Sequence, residues 1–168
     1  MCLGFFGGSF DPIHFGHISL AVYLLEKYKL EGVLFSAAAV SPFKTGAPPV
    51  ASGKHRVEML KLALDLPQFK ISTIELDRGG ASFTIDTIRE LSKEHELNLL
   101  LSDEAAVGLG RWKETEVLQK IAPPLIGPRS REISSTEIRK RLSKKLYCGH
   151  LIPLKALDYI QSNQLYSS

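Results

Sequence analysis

The hydrophobic positions of this chain follow two alternating spacings. Short, mainly apolar runs lie at 2–6, 33–37 and 97–101. Runs of this length predict strands of a parallel sheet, because such strands are buried on both faces. Between the first two runs, apolar residues recur at i, i+3, i+4 and i+7, which predicts an amphipathic helix. The residues on that face are Ile18, Ala21, Val22 and Leu25.

The rest of the chain continues the alternation of strands and helices. Helices are predicted over 57–64 and 83–94 and a strand over 69–74, while a polar, proline-bearing loop at 40–52 is long enough to be functional. The segment 122–128 contains three prolines and allows at most a short edge strand.

Two helices are predicted near the C-terminal end of the chain. Ser134 and Glu137 form a capping box for a helix that runs to about Lys144. Pro153 opens the last helix, whose apolar face contains Leu157. The whole pattern predicts an α/β protein with a doubly wound parallel sheet flanked by helices, and ligands at the carboxyl ends of the strands.

Composition narrows the class of protein. With 168 residues, 44% of them hydrophobic, we expect one domain over 1–168. The net charge of +3 favours small anionic ligands and argues against nucleic acid as a partner. No apolar run spans a membrane, and Cys2 and Cys148 fit a reducing compartment, so we expect a cytoplasmic protein with no membrane partner. A homo-oligomer is compatible with this sequence.

The segment after the first strand is the most informative one. Gly7 and Gly8 permit a sharp turn with backbone N–H groups close to a phosphate, at a helix N-terminus that favours anions. His14 and His17 lie three residues apart and face the same side of that helix, while Gly16 leaves room for a bound nucleotide. Each histidine alone is more typical of an ordinary surface residue; the combination favours a phosphate site.

This segment resembles the signature of the nucleotidyltransferase superfamily, Gly-x-Phe-Asp-x-x-His-x-Gly-His. The fixed positions are filled by Gly8, Phe10, Asp11, His14, Gly16 and His17. The resemblance implies a Rossmann-like nucleotidyltransferase fold that places these histidines against the phosphates of a nucleoside triphosphate. It does not specify the second substrate.

A second motif begins the helix near residue 134. A helix N-terminus with the hydroxyls of Ser134, Ser135 and Thr136, followed by Arg139, can bind a triphosphate, although alone it is more typical of a well-capped helix with a solvated basic face. The segment resembles the Ile-Ser-Ser-Thr-x-Ile-Arg signature of the nicotinate and nicotinamide mononucleotide branch. In that family these side chains contact the phosphates of ATP.

Other segments resemble the same branch. Ser41-Pro42-Phe43-Lys44 is similar to its Pro-Pro-x-Lys loop, whose lysine approaches phosphate, and 82–87 is similar to its Ser-Tyr-Thr-x-x-Thr segment, whose first threonine, here Thr84, helps to recognise the pyridine ring. Trp112 matches the tryptophan that stacks on this ring. Without the resemblance, these residues are equally typical of an exposed loop lysine, a helix cap and a core aromatic.

The chain departs from the family after its third apolar run. The family's Gly-x-Asp is Leu101-Ser102-Asp103 here, and Leu101 is expected to hinder close approach to the adenosine. The segment 113–132 is also shorter than usual, apparently lacking a strand and a loop.

The resemblance implies a bacterial-type nicotinate-nucleotide adenylyltransferase that joins ATP, with Mg²⁺, to nicotinate mononucleotide. The implied catalytic residues are His14, His17, Lys44 and Arg139. The implied ATP-binding residues are Gly7, Gly8, Ser9, Phe10, His14, Gly16, His17, Asp103, Ser134, Ser135, Thr136 and Arg139. The implied mononucleotide-binding residues are Ser9, Lys44, Thr84 and Trp112, and no residue is expected to bind a metal directly.

Two alternatives stay open at this point. The chain is also compatible with another nucleotidyltransferase of the superfamily, such as one that uses phosphopantetheine or a sugar or glycerol phosphate. The second alternative is a non-catalytic relative that senses nucleotides. A nucleic-acid-binding module is disfavoured, because no aromatic residues interleave with the basic run near Arg139.

Overall fold

The computed structural model describes residues 2–44 and 46–168, so Met1 and Thr45, the latter in the predicted loop, lie outside it. The described strands are β1 (Cys2–Gly8), β2 (Gly32–Ala37), β3 (Phe69–Ser72), β4 (Glu96–Ser102) and β5 (Pro124–Gly127). They form one sheet in the order β3-β2-β1-β4-β5, and all four strand pairings are parallel. The predicted edge strand is confirmed as β5, at the end of the sheet.

Helices connect these strands. They are α1 (Phe15–Lys27), α2 (Gly53–Ala63), α3 (Ile74–Arg78), α4 (Thr84–Leu91), α5 (Asp103–Val107), α6 (Thr115–Ile121), α7 (Ser135–Ser143) and α8 (Leu154–Ser162). Two 3-10 turns lie at Pro42–Lys44 and Leu109–Arg111. The helices α3, α5 and α6 are not among the predicted elements.

The predicted strand over 69–74 is wrong in its last residues. Ser72 is the last residue of β3 and pairs with Ser36. Thr73 then leaves the extended region, with φ −102° and ψ 5°, and Ile74 begins α3. The β-branched residues at 73 and 74 favour a strand locally, but the pairing of β3 with β2 ends at Ser72.

The core consists of two clusters, one on each face of the sheet. Leu20 and Leu24 of α1 and Leu60 of α2 pack in the first cluster, which α7 and α8 also join. Ile85 of α4 and Leu118 of α6 pack in the second. Helices therefore cover both faces, which confirms the doubly wound α/β fold. Within the described residues, no helix has the length and apolar character needed to cross a membrane.

The strand order places a crevice at β1. Its neighbours β2 and β4 lead to opposite ends of the sheet, so successive connections run in opposite directions from this strand. In parallel α/β sheets, ligands bind outside the carboxyl ends of the strands at such a point. The segments that follow β1, β2 and β4 contain most of the predicted site residues.

Candidate active site

The turn after β1 is built by close aromatic packing. Phe10 has a left-handed backbone with φ 47°, which costs a non-glycine residue about 1–3 kcal/mol. Its ring is buried against Phe6 and Phe35, with centroid distances of 5.6 and 5.7 Å. A Cβ on Gly8 would lie 3.1 Å from this ring. The predicted ATP contact of Phe10 is therefore restricted to its backbone, because its side chain belongs to the core.

His14 and His17 cap the start of α1 reciprocally. The backbone N–H of each residue donates to Nδ1 of the other, at 3.3 Å in both cases. The two rings stack with their centroids 3.7 Å apart. Because Nδ1 accepts a hydrogen bond in both rings, each neutral imidazole carries its hydrogen on Nε2. The pair therefore provides two N–H donors at the N-terminus of α1.

Gly16 is required by this pair of histidines. A Cβ at Gly16 would lie 2.9 Å from Cε1 of His14 and 3.6 Å from Cβ of Ile133. Room for a nucleotide stays a prediction, and the structure adds a second reason for the glycine. Any side chain at position 16 would displace the His14 ring and break the reciprocal cap.

Both imidazoles are held in the neutral form. Burial lowers the pKa of His14 to about 4, and the positive charge of Arg129 acts in the same direction. Burial also puts the pKa of His17 well below its usual range, with further lowering by His14, Arg129 and Lys44. Two cations thus act on the neutral histidines. Arg129 is not among the predicted residues, although its position two residues beyond β5, at the carboxyl edge of the sheet, is a signal for it.

The pKa of His14 predicts acid sensitivity of the fold. The unfolded chain protonates His14 near its ordinary pKa of 6.5, whereas the folded protein does so near 4. Between these values the unfolded state binds more protons, so the free energy of unfolding falls as the pH falls. We expect a loss of about 2 kcal/mol from His14 between pH 7.5 and pH 5. Urea unfolding at both pH values measures it. The His14→Gln variant should lose less over the same interval, and an equal loss would contradict this origin.

The N-terminus of α7 joins this turn, although the two motifs are far apart in sequence. The hydroxyl of Ser135 donates to the carbonyl oxygen of Pro12 at 2.9 Å. Arg139 donates from Nη1 to the carbonyl oxygen of Asp11 at 2.7 Å. Ser134 caps the helix, since its Oγ accepts from the backbone N–H of Glu137 at 3.2 Å. The two motifs are therefore in contact in the structure.

Buried hydrogen bonds of Asp11 and Arg56 fix the turn after β1. Asp11 is buried and accepts hydrogen bonds from the backbone N–H groups of Val50 and Ala51, at 2.7 and 3.0 Å, and from the Tyr166 hydroxyl at 2.6 Å. Arg56 is 2% exposed. It donates to carbonyl oxygens of Ser9 (2.8 Å), Ala38 (2.7 Å) and Ala51 (3.2 Å). These contacts link the ends of β1 and β2 to the 40–52 loop.

A cavity of about 490 Å³ lies beside the turn, and all four predicted mononucleotide-binding residues line it. They are Ser9, Lys44, Thr84 and Trp112. Gly7 and Gly8 also line the cavity. The residues of the histidine pair and of α7 do not, so the predicted site consists of two neighbouring parts. Lys44 connects them, because it lines the cavity while its charge lowers the pKa of His17.

Charged residues that were not predicted also line this cavity. They are Arg111, Lys113 and Glu75. Lys113 pairs with Asp86 at 3.2 Å. Glu75 is 3% exposed, and burial raises the pKa of its carboxyl. It accepts from the Thr87 hydroxyl at 3.1 Å, and Thr87 in turn accepts from Arg78 at 2.7 Å.

Asp103 begins α5 and lies on the exposed side of the site. Its Oδ1 accepts from the backbone N–H groups of Glu104 and Arg129, at 2.8 and 3.1 Å. Arg129 also pairs with the Glu104 carboxylate. Leu101, which was expected to hinder a nucleotide, packs with α4 and α6 in the second core cluster. Its side chain therefore lies on the opposite face of the sheet from α1 and the histidine pair. The shortened segment 113–132 keeps α6 and β5.

The site contains cations and neutral donors rather than a metal-binding cluster. Across 2–44 and 46–168, no group of three or more His, Cys, Asp or Glu residues is arranged to hold a metal ion. Among the described residues, Lys44, Arg129 and Arg139 surround the turn that follows β1. This arrangement can bind a polyanion and neutralise charge that develops on it.

Known proteins resemble this chain over most of its length. The model of the family described as "Cytidylyltransferase-like" matches residues 5–141. A Thermus thermophilus protein named "Probable nicotinate-nucleotide adenylyltransferase" is 38% identical, covering 99% of this chain and 100% of the relative. A protein of the same name from Methylacidiphilum infernorum is 35% identical, covering 98% and 91%.

Solved structures share the fold. A protein from Vibrio parahaemolyticus superposes with a TM-score of 0.81 at 15% identity, covering 99% of this chain and 96% of that one. The Plasmodium falciparum nicotinic acid mononucleotide adenylyltransferase complexed with NaAD gives 0.75 at 18% identity, covering 98% and 97%. The fold is thus that of the nucleotidyltransferases. By its sequence, the chain belongs to the cytidylyltransferase-like family and, within it, to the nicotinate-nucleotide adenylyltransferases.

Proposed function

We propose that this chain transfers the adenylyl group of ATP to nicotinate mononucleotide, which forms nicotinate adenine dinucleotide and pyrophosphate in NAD biosynthesis. The observation that carries the proposal is the juxtaposition of two sites. A pair of neutral histidines caps α1, and a cavity lined by Thr84 and Trp112 lies beside it, with Lys44 in contact with the cavity and near His17. The Plasmodium falciparum enzyme of the same fold was solved with NaAD, the dinucleotide product.

The reaction needs no general base. A phosphate oxygen of the mononucleotide, already ionised near neutral pH, attacks the α-phosphorus of ATP. The bond from this phosphorus to the bridging oxygen of the β-phosphate breaks, and its electron pair leaves with pyrophosphate. Catalysis then depends on alignment of two anions and on neutralisation of the charge that develops.

The chain supplies donors and cations for these tasks. The low pKa values of His14 and His17 keep both rings neutral, so they donate from Nε2 without transferring a proton. We assign ATP phosphate contacts to this pair, to the backbone of Gly8 and Ser9, and to the start of α7. Lys44 and Arg139 provide fixed positive charge. Arg129 adds a third positive charge, because it lies close enough to lower the pKa of both histidines.

Mg²⁺ fits this site as a companion of ATP. Imidazole N–H groups and cations dominate near the turn, which suits phosphate oxygens and not a directly bound Mg²⁺ ion. We therefore propose that phosphate oxygens and water hold the ion. When bound, it supplies further neutralisation of the triphosphate charge.

Nicotinate suits the charges of the cavity. Lys44, Arg111 and Lys113 line it together with one carboxyl, that of Glu75, whose pKa is raised by burial. A carboxylate on the pyridine ring adds a negative charge that these cations favour. This balance supports nicotinate mononucleotide over the amide as the acceptor.

The decisive experiment measures pyrophosphate release with ATP and Mg²⁺ in the presence of single acceptors. Nicotinate mononucleotide should give the highest kcat/KM, with nicotinamide mononucleotide and 4′-phosphopantetheine well below it. Release with phosphopantetheine alone would indicate another branch of the superfamily. ATP binding without release for any acceptor would indicate a sensor, and either result would contradict the proposal.

Replacement of Trp112 tests the position of the pyridine ring. Trp112→Ala should raise KM for nicotinate mononucleotide about 5- to 100-fold, the range for loss of one stacked aromatic partner, and change KM for ATP much less. Steady-state kinetics with each substrate varied in turn measures both constants. Trp112→Phe serves as the control, since it keeps a stacking ring. Equal increases in both KM values would argue against the assignment.

Residues 1–168 are proposed to act as one nucleotidyltransferase domain, since α2 and α8, distant in sequence, pack in the same core cluster. We propose a cytoplasmic location, which the free thiols of Cys2 and Cys148 support. The proposed partners are ATP and the mononucleotide, with no nucleic acid and no membrane. A homo-oligomer stays a prediction.

A further inference from the structure

Phe43 is an exposed aromatic residue at the mouth of the acceptor cavity. The residue is 58% exposed, although it lines the cavity. It lies in the 3-10 turn Pro42–Lys44, directly before the lysine that connects the two parts of the site. Phe43 belongs to neither core cluster. A large apolar side chain in this position contributes little to the fold. Its exposure is explained if it contacts a ligand that fills the cavity.

Trp112 lines the same cavity and is a neighbour of Phe43. The two ring centroids are 6.3 Å apart and the planes are tilted by 40°. A planar ring between two others needs about 7 Å, since each aromatic contact takes roughly 3.5 Å. A small rotation of the exposed Phe43 side chain supplies the difference. The two rings are therefore close enough to contact both faces of one planar ring once the Phe43 side chain rotates.

The turn that carries Phe43 is tied to the cavity wall. The backbone N–H of Ser82 donates to the carbonyl oxygen of Val40 at 2.8 Å, and that of Ala39 donates to the Ser82 hydroxyl at 2.9 Å. Within the turn, the backbone N–H of Lys44 donates to the carbonyl oxygen of Ser41 at 2.9 Å. These bonds fix the base of the turn two residues before Thr84. The side chain of Phe43 can rotate while its backbone stays in place.

We propose that Phe43 is a specificity-determining residue that closes on the face of the pyridine ring opposite Trp112. The acceptor ring is then held between two aromatic side chains, one from the loop after β2 and one from the segment after β4. This assignment rests on the proposed function, because it takes a pyridine mononucleotide as the ligand. Phe43 acts on acceptor binding and has no contact with the reacting phosphates.

The chain offers a direct measurement, since Trp112 is its one tryptophan. Quenching of its fluorescence by nicotinate mononucleotide reports ring stacking. For Phe43→Ala we expect a Kd and a KM for this ligand about 3- to 10-fold higher than in the wild type, the range for one aromatic partner. The KM for ATP should change less than twofold. Phe43→Tyr should restore the wild-type values.

Two controls separate ring contact from other effects. Inhibition by ribose 5-phosphate, which has no pyridine ring, should be the same in Phe43→Ala and wild type. A loss of this inhibition in the variant would show that the substitution disturbs Lys44. It would overturn the proposed clamp, in which Phe43 and Trp112 hold the pyridine ring between them. Tyr28→Ala, another exposed aromatic change at the C-cap of α1, should leave all constants unchanged.

The outcomes distinguish the two proposals. A wild-type enzyme that turns over nicotinate mononucleotide, together with unchanged Kd and KM in Phe43→Ala, would overturn the clamp alone. A wild type that shows neither quenching nor pyrophosphate release with this ligand would overturn the proposed function and, with it, the assignment of Phe43.

Discussion

Replacement of His17 with alanine is expected to lower kcat about 10²- to 10³-fold, the scale for loss of one preorganised donor to a transition state. The physical reason lies in the cap of α1. His17 accepts at Nδ1 from the backbone of His14, so its remaining N–H at Nε2 is aimed away from the helix. The low pKa keeps the ring neutral and fixes this arrangement across the range of assay pH. Pyrophosphate release under saturating ATP and mononucleotide measures the effect.

The fold should survive this change. Alanine removes one capping acceptor, which costs about 1 kcal/mol of stability, and the circular dichroism melt should shift by only a few degrees. His150→Ala provides the matched control, because His150 is an exposed histidine next to Tyr147, outside the site. Its kcat should equal that of the wild type. A His17→Ala enzyme with wild-type kcat would refute the assigned role.

The sheet was largely predictable, for reasons of burial. The strands β1, β2 and β4 are interior strands, covered on both faces, so each is a mainly apolar run. The helices α5 and α6 depend on contacts that leave little periodic signal: α5 spans five residues with none buried, and α6 begins after Glu114, whose backbone is left-handed with φ 50°. Such short helices form where the chain reverses direction over the packed core.

The site was predictable where local motifs build it. The turn after β1 and the start of α7 are continuous segments, and their meeting follows from a parallel sheet. Arg129 and Phe43 were missed because each reaches the site through the path of a loop. Glu75 was missed because it lies on α3, a helix of five residues that was not predicted. The histidine cap was also missed, since capping boxes are usually recognised by serine or threonine with glutamate or glutamine.

Arg56 was missed although the sequence contains a signal for it. It lies among Lys54, His55 and Glu58, which favours a solvated helix face. Yet Arg56, Leu60 and Ala63 follow the i, i+4, i+7 spacing, which puts the arginine on the buried face of α2. A charged residue on such a face is either paired or bound to backbone carbonyls. Here it binds carbonyls that shape the turn after β1.

Replacement of Arg56 with methionine is expected to lower the free energy of unfolding by about 3–5 kcal/mol, the range for loss of one member of a buried charged network. The long apolar side chain fills much of the space, but it leaves three carbonyl oxygens without their donor, those of Ser9, Ala38 and Ala51. It also removes a cation near buried Asp11, whose charge opposes the lowering of the Arg56 pKa by burial, and leaves Arg139 as the cation 3.9 Å from that carboxylate. For a chain of this length the Tm should fall by roughly 6 to 20 °C.

Lys54→Met gives the matched control for this change, because Lys54 is exposed on the same helix, two residues earlier. Its effect should stay within about 0.5 kcal/mol. Urea unfolding of both variants at pH 7.5 compares them directly. Activity should fall as well in Arg56→Met below its Tm, since Ser9 loses the contact that holds the end of β1 against the end of β2. A variant within 1 kcal/mol of the wild type would mean that water replaces the guanidinium at the three carbonyls, and that the turn does not depend on Arg56.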